Sequence, residues 1–152
     1  MDRPQAAELE LGVRRFAFIA AALAVASVAA QAGTAPPKEL AAMRATLAKA
    51  VGARDWKAIT ALTAWPLKVE MYEAPPTVTL AEFNKKRGTL MGLFGNGDKD
   101  LLKCVATAPV TQETDKTRFG FGDWVADCNG NEFHFAQRAG KWLFVAYENI
   151  NE

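Results

Sequence analysis

The chemistry that the sequence offers centres on its single histidine, His134. A turn at Asn129-Gly130 would place Asp127 and Glu132 one step from His134 on the same face of a β-hairpin. A histidine beside a carboxylate can act as a general base near neutral pH. The same residues also fit a sheet histidine in an ordinary polar contact. His134, Asp127 and Glu132 are the candidates for catalysis, but the sequence favours a protein that is not an enzyme.

Residues 119–150 predict three antiparallel strands joined by tight turns, the second at Ala139-Gly140. This turn would place Phe133 opposite Ala146, whereas a bulge at Gly140 would shift the last strand by one residue and exchange its faces. Strand side chains alternate between faces. The first face is expected to be a dense aromatic surface: Trp124, Ala126, Phe133, Phe135, Trp142, Phe144 and Ala146. The second mixes apolar and ionisable groups, as a half-open cavity would: Val125, Asp127, Glu132, His134, Ala136, Leu143, Val145 and Tyr147.

Helical signals precede these strands. Apolar residues recur at helical spacing over residues 38–51 and again over 55–65, and each segment is expected to be a helix. A third helix is expected over residues 80–93, because Thr79 and Glu82 form a capping box in which each side chain bonds to the other residue's backbone. Glycines end this third segment.

Two further strands are expected in addition to the hairpins. Residues 67–72 alternate between apolar and charged side chains, and residues 101–110 form an apolar run that ends near a proline. The expected fold is therefore α+β, with three N-terminal helices packed on a strongly curved, mainly antiparallel sheet.

The two cysteines, Cys104 and Cys128, are candidates for a disulfide. If the chain turns near Lys116, they fall opposite each other on neighbouring strands. In an oxidising compartment such a bond would close a loop of about 25 residues and stabilise the fold by about 3 kcal/mol. The alternative is two separate buried thiols. Two cysteines and one histidine do not make a metal site of any specificity, so neither a metal nor a cofactor is expected.

Residues 1–32 have the pattern of a secretory signal peptide. An arginine pair precedes an uncharged, alanine-rich run, and a small-x-small cleavage site ends at Ala32. The alternatives are an uncleaved membrane anchor and export by the twin-arginine route. Cleavage after Ala32 would leave residues 33–152 as a single periplasmic domain with no stable membrane span.

Composition argues against a nucleic-acid partner. The formal net charge is +1, and the sequence contains neither a basic stripe nor zinc-finger spacing. With a net charge this small, nothing suggests a polyanionic partner.

Several local features point to one family. They are a helix pair, Trp65-Pro66-Leu67 entering a short strand, a capped helix with Thr79, Glu82 and Phe83, and a meander ending in Gly140-Lys141-Trp142 and Asn149-Ile150-Asn151. Over residues 38–151 this order resembles the nuclear-transport-factor-2-like (cystatin-like cone) superfamily, in particular its small exported bacterial members of unknown function. The resemblance implies a bent sheet around helices, with a pocket between them. The superfamily includes isomerases, dehydratases and pure binding domains, and none of its catalytic motifs matches this chain residue by residue.

A cone of this kind would hold a ligand between its helices and its sheet. The residues expected to line the pocket are Trp65, Tyr72, Phe83, Asp123, Val125, His134 and Tyr147. The leading hypothesis is an exported periplasmic domain that binds a small apolar ligand or a protein partner, including a second copy in a homodimer or another envelope protein. One alternative is an enzyme of the isomerase or dehydratase type that uses His134 with a carboxylate. The other is a small exported inhibitor or immunity protein.

Overall fold

The computed structural model describes residues 35–72 and 74–151. These residues form an α+β fold in which helices pack on one face of a mixed sheet, so the α+β class is confirmed. The predicted signal peptide, residues 1–32, lies outside the described residues. Among the helices of the described part, none is long and apolar enough to cross a membrane.

The helices and strands of the described residues follow one another in this order: α1 (Lys38–Ala53), α2 (Trp56–Leu62), β1 (Thr63–Glu70), β2 (Thr77–Val78), α3 (Leu80–Lys85), α4 (Arg87–Leu93), α5 (Lys99–Thr107), β3 (Val110–Gln112), β4 (Trp124–Cys128), β5 (Asn131–Arg138) and β6 (Lys141–Asn149). The strand order in the sheet is β2-β1-β6-β5-β4-β3. Strands β1 and β6 are parallel, and the other neighbours are antiparallel.

Side-chain caps define where two of the helices begin. The Asp55 carboxylate accepts a hydrogen bond from the backbone N–H of Ala58 at 3.0 Å, at the predicted start of the second helix. The capping box of Thr79 and Glu82 is present in both directions, at 2.7 and 3.2 Å. Both local predictions are therefore confirmed. The third predicted helix is instead two, α3 and α4, because Lys86 leaves the helical conformation with φ −134° and ψ 71°.

The second predicted helix is shorter than expected. It ends at Leu62, and Trp65 lies in β1, which begins at Thr63, before the predicted strand. The indole of Trp65 stacks on Phe83 of α3 with ring centroids 5.1 Å apart. This stacking places β1 against the helical layer from its first residues.

The strand predicted over residues 101–110 is wrong, because this segment forms most of α5. The carboxylate of Asp98 caps the helix by accepting from the Leu101 N–H at 2.8 Å. Leu102 and Val105 are three residues apart and both are buried, as one face of a helix requires. A short apolar run fits a buried strand as well as a helix, so its pattern alone does not distinguish the two.

The core fills the space between the helices and the sheet. Phe94, the C-cap residue of α4, stacks on Phe133 at 5.2 Å and meets Phe144 edge-on at 5.4 Å. The largest fully buried side chains include Phe83, Phe94, Phe133, Phe135, Phe144, Leu40, Leu47, Ile59, Leu67 and Leu90. Rings at these separations and angles gain contact energy beyond the burial of their area. The aromatic face predicted for the hairpins is thus the face that carries the helices.

The side chain of Arg44 in α1 forms hydrogen bonds with the end of α5. Its guanidinium is buried and donates hydrogen bonds at 2.8 Å to the carbonyls of Val105 and Ala108. These carbonyls lie at the C-terminal end of α5, where backbone acceptors lack partners within the helix and a positive charge is favourable.

The first hairpin has the predicted register. Asn129 and Gly130 both have positive φ, 58° and 82°, as a type I′ turn requires. Asp127 lies opposite Glu132, and Val125 lies opposite His134.

The second hairpin departs from the predicted register. Strand β6 carries one extra residue, Val145, between Phe144 and Ala146. Phe133 therefore lies opposite Tyr147 rather than Ala146, so the predicted faces of Ala146 and Tyr147 are wrong. The bulge lies at Val145 rather than at Gly140, and an extra residue on one strand reverses the alternation beyond it.

Cys104 and Cys128 form a disulfide, as predicted. The bond joins α5 to the end of β4 rather than two neighbouring strands, because the segment of Cys104 is helical. It closes a loop with a sequence separation of 24 residues. The covalent link therefore holds the last helix against the sheet.

Replacing both cysteines, Cys104→Ala with Cys128→Ala, should lower the free energy of unfolding by about 3 kcal/mol, because the unfolded chain gains the entropy of an open loop. The melting temperature should fall by roughly 10 °C. Urea unfolding with and without a thiol reductant measures the effect. The reductant should lower the stability of the wild-type protein to that of the double variant and leave the variant unchanged. Equal stability of the two oxidised proteins would contradict the prediction.

Candidate functional site

A cluster of ionisable side chains lies on the sheet face opposite the helices. We call it the His134 cluster; its members are Arg118, Asp123, Glu132, His134 and Glu148. Glu132 and His134 belong to β5, and Glu148 of β6 lies directly opposite Glu132. Arg118 and Asp123 come from residues 113–123, which connect β3 to β4 and fold over this face.

His134 is completely enclosed. Its side chain has no exposed surface, and the ring of Phe119 meets it edge-on at 5.4 Å. The backbone of Gly120, at φ 71°, passes so close that a Cβ atom on that residue would collide with Nδ1 of His134. Only glycine fits a position that combines positive φ with so close an approach.

Three carboxylates surround the imidazole ring. Nδ1 lies 3.6 Å from Oδ2 of Asp123, and Nε2 lies 3.7 Å from Oε2 of Glu132 and 3.9 Å from Oε2 of Glu148. These distances exceed those of hydrogen bonds. Among the described residues, neither ring nitrogen has a hydrogen-bond partner. Buried polar atoms in proteins are normally paired, so this arrangement is unusual.

Arg118 supplies the positive charge of the cluster. Its guanidinium contacts Glu113 at 3.1 Å, Glu132 at 3.3 Å and Glu148 at 3.7 Å. The Arg118 side chain is 44% exposed, whereas the three carboxylates are 10 to 16% exposed. Glu113, Glu132, Glu148 and Asp123 together outnumber the single guanidinium among these contacts. The site therefore has an excess of negative charge when His134 is neutral.

Burial and the neighbouring charges both act on the carboxyl group of Glu148. Burial raises the pKa of its carboxyl, and the neighbouring carboxylate of Glu132 raises it further, while Arg118 acts in the opposite direction. Glu70 of β1 lies opposite Glu148 on its other side. Like charges directly opposite each other on neighbouring strands are destabilising.

The three candidates for catalysis, His134, Asp127 and Glu132, do not all lie close together. Glu132 and His134 lie together, but the carboxylate of Asp127 accepts a hydrogen bond from the N–H of Gly130 at 2.8 Å and stays at the turn. Asp123, expected in the ligand pocket, occupies the place beside His134 instead.

The residues expected to line one pocket lie on both sides of the sheet. Trp65, Phe83 and Tyr147 belong to the core beneath the helices, and Tyr72 is 77% exposed. Asp123, Val125 and His134 belong to the opposite side or its edge. The structure therefore brings Asp123 and His134 together and does not gather the seven residues around one cavity.

Sequence reasoning missed Arg118 and Glu148. Arg118 lies in a polar connection without periodicity, so no pattern places it over a particular strand. Glu148 reaches the face of His134 only because of the bulge at Val145. The one available signal was the alternation of Glu132 and His134, which share a face of any strand that contains both.

Three members of the cluster present atoms that could hold a metal ion. Within the described part of the chain, Glu132, His134 and Glu148 each offer one ligand atom, and these atoms lie within 4.8 Å of one another. One imidazole and two carboxylates suit divalent ions that accept mixed nitrogen and oxygen ligands.

An open cleft lies beside the cluster. We call it the Phe121 cleft; its lining includes Gln112, Phe121, Asp123, Arg138 and Trp142, and its volume is about 350 Å³. A second concavity of about 250 Å³ shares Phe121, Asp123 and Arg138 with it and adds Lys68. The Phe121 side chain is 52% exposed. The indole N–H of Trp142 is buried and has no hydrogen-bond partner among the described residues.

The chain matches no protein-family model, no curated protein and no solved structure. The resemblance to the cone superfamily therefore stays a prediction.

Two glycines of the 113–123 connection give a matched test of how closely His134 is enclosed. Gly120 and Gly122 both have positive φ, 71° and 88°, but an added Cβ meets His134 only at Gly120 and meets nothing within 4 Å at Gly122. Alanine at either position should cost about 1–2 kcal/mol for the left-handed conformation. Gly120→Ala should cost about 1–3 kcal/mol more, because the collision forces the connection away from the sheet.

Urea unfolding of the two variants measures the difference in free energy. Equal destabilisation by Gly120→Ala and Gly122→Ala would contradict the close packing of residue 120 against the imidazole ring.

Proposed function

We propose that the protein is an exported, non-catalytic binding domain whose ligand occupies the Phe121 cleft. The ligand class is a small molecule with a planar apolar part and an anionic group. The observation that carries this proposal is the exposed aromatic ring of Phe121, in a cleft that also contains Arg138 and adjoins Lys68. Ligand sites in proteins typically combine apolar walls with a few polar groups.

The chemistry of the cleft supports the two parts of this ligand. Phe121 offers a ring face or edge against which a planar group can pack. Arg138 is exposed, and its guanidinium donates to the neighbouring Gln137 carbonyl at 3.0 Å, which leaves further donors for an anion. Asp123 also borders the cleft, but its carboxylate lies 3.6 Å from the His134 ring and belongs to the His134 cluster.

A ligand site in the core between the helices and the sheet has less support. Phe133, Phe135 and Phe144 are fully buried there, and their rings lie about 6 Å apart. Displacing such packed rings would open a cavity at a cost of several kcal/mol per side chain. The apolar ligand expected from the sequence is therefore assigned to the outer cleft, with an anionic group added.

A catalytic role for His134 also has less support. Both ring nitrogens are buried, and Phe119 and Gly120 cover the ring. A general base must lie within hydrogen-bond reach of the proton that it removes. In the described conformation a substrate does not reach either nitrogen.

Export to the periplasm is part of the proposal. It is supported by the signal-peptide pattern of residues 1–32 and by the disulfide between Cys104 and Cys128, since disulfides persist in oxidising compartments. A cone of the nuclear-transport-factor-2-like type is supported by the order of a helix pair, short strands, further helices and a C-terminal antiparallel meander.

Anilinonaphthalene sulfonate, which joins planar rings to a sulfonate, is a suitable probe of the cleft. Phe121→Ala and Arg138→Gln should each weaken its binding about five- to tenfold, because each removes a contact worth on the order of 1 kcal/mol. Fluorescence titration measures the dissociation constants. Leu80→Ala is the matched control, since Leu80 is also an exposed apolar residue but lies at the start of α3.

Equal affinity in the wild-type protein and in both cleft variants would contradict the assignment of the ligand to this cleft. Native mass spectrometry of the protein purified from the periplasm then tests for a natural ligand, which Phe121→Ala should lose and Leu80→Ala should keep.

A further inference from the structure

We propose that Glu132, His134 and Glu148 form a binding site for a divalent transition-metal ion, with Zn²⁺ as the ion that fits best. The site lies in the His134 cluster and not in the Phe121 cleft, so this inference does not depend on the proposed ligand. It goes beyond the sequence-based expectation that the chain binds no metal.

The donor atoms are already close to the positions that a metal requires. Zinc binds imidazole nitrogen and carboxylate oxygen at about 2.0–2.2 Å, so tetrahedral ligands lie about 3.3–3.5 Å from one another. In the cluster, Nε2 of His134 lies 3.7 Å from Oε2 of Glu132 and 3.9 Å from Oε2 of Glu148. All three donor atoms lie within 4.8 Å of one another, so shifts of about an ångström per side chain would complete this geometry.

A buried, unpartnered imidazole points to a bound ligand. Nε2 of His134 and Oε2 of Glu148 are both buried, and neither has a hydrogen-bond partner among the described residues. Burying such groups without a hydrogen bond costs free energy. A cation between them would satisfy both atoms at once.

The negative charge of the site also favours a bound cation. Glu70, Glu148 and Glu132 occupy directly opposite positions on β1, β6 and β5. Arg118 approaches Glu132 and Glu148 at 3.3 and 3.7 Å but remains partly exposed and also contacts Glu113. A metal ion would replace the guanidinium between the two carboxylates, and Arg118 would keep its contact with Glu113.

Asp123 is placed to orient the imidazole. Its Oδ2 lies 3.6 Å from Nδ1 of His134, on the side of the ring away from Glu132 and Glu148. Metal-binding histidines commonly donate their second N–H to a carboxylate, which leaves the other nitrogen as the ligand. Asp123 would therefore hold the proton on Nδ1 and direct the lone pair of Nε2 toward the metal.

The donor set selects among metals. Ca²⁺ takes six to eight oxygen ligands and Mg²⁺ keeps several waters, so neither suits an enclosed site that includes an imidazole. The two cysteines are joined in a disulfide and offer no thiolate. Zinc binds both imidazole nitrogen and carboxylate oxygen, and three protein ligands with a water in the fourth position are sufficient to hold it.

The first experiment titrates chelator-treated, oxidised protein with Zn²⁺ in competition with a chromophoric chelator. The wild-type protein should bind one equivalent. Glu148→Gln should weaken binding at least about 100-fold, because it removes a ligand. Asp127→Asn is the matched control: it removes a carboxylate directly opposite Glu132 that is bonded to the turn, and it should change the affinity less than about twofold.

Arg118→Gln separates a metal site from a purely structural ion-pair network. Because the guanidinium competes with the metal for Glu132 and Glu148, its removal should tighten Zn²⁺ binding about tenfold. A structural network that binds zinc adventitiously would show no gain. Circular dichroism establishes that each variant is folded before it is titrated.

The wild-type protein offers a second readout that needs no variant. His134 is the chain's only histidine, so long-range nitrogen–proton NMR spectra contain one imidazole from the chain. Equimolar Zn²⁺ should shift the Nε2 resonance and leave the proton on Nδ1. An unchanged imidazole spectrum, or equal Zn²⁺ affinity of the wild-type protein and Glu148→Gln, would overturn the proposal.

Discussion

The bulge at Val145 is the constraint on which both faces of the sheet depend. Before the bulge, alternation directs Phe144 into the core; after it, alternation directs Tyr147 there as well. A regular strand would turn Glu148 toward the aromatic core, where an unpaired carboxylate is very costly. The extra residue therefore places the ring of Tyr147 in the core in addition to that of Phe144, and it places the carboxylate of Glu148 on the outer face.

The outer face is covered by a connection rather than by a second layer of helices. Phe119 packs there against a small apolar group that includes Ala136, Val145 and Ala146. Arg118 reaches the carboxylates of β5 and β6 from the same connection. Neither interaction suffices alone, because exposed ion pairs contribute little and the apolar group is small. Together they enclose His134 and hold a glycine backbone against its ring.

Enclosure changes the electrostatics of the acidic residues. Carboxylates in water repel one another weakly, but the same groups under the connection are poorly solvated and interact more strongly. Glu148 shows the result, since its carboxyl has a raised pKa caused first by burial and then by Glu132. Asp123 borders both the His134 cluster and the Phe121 cleft. Asp123 therefore connects the two places electrostatically, because its carboxylate borders both.

Local sequence determined those features whose energy is local. The capping box at Thr79, the cap at Asp55, the Asn129-Gly130 turn and the register of the first hairpin need only neighbouring residues, and sequence reasoning predicted them. The disulfide was also predictable, because two cysteines in a chain with a signal-peptide pattern have few alternatives.

The tertiary structure decided the features that depend on packing between distant segments. The apolar run after Asp98 fits either a helix or a strand by pattern, and its packing against α1 accompanies the helix that forms, through Arg44 and the carbonyls of Val105 and Ala108. The bulge at Val145 has no local signature, so sequence placed Tyr147 on the wrong face and could not bring Glu148 to His134. The sequence by itself thus determined which residues of β5 could do chemistry. Only long-range strand pairing and the fold of the 113–123 connection decided which side chains lie beside them. These arrangements gain their free energy from contacts between segments that are distant in the sequence, and such contacts exist only in the folded chain.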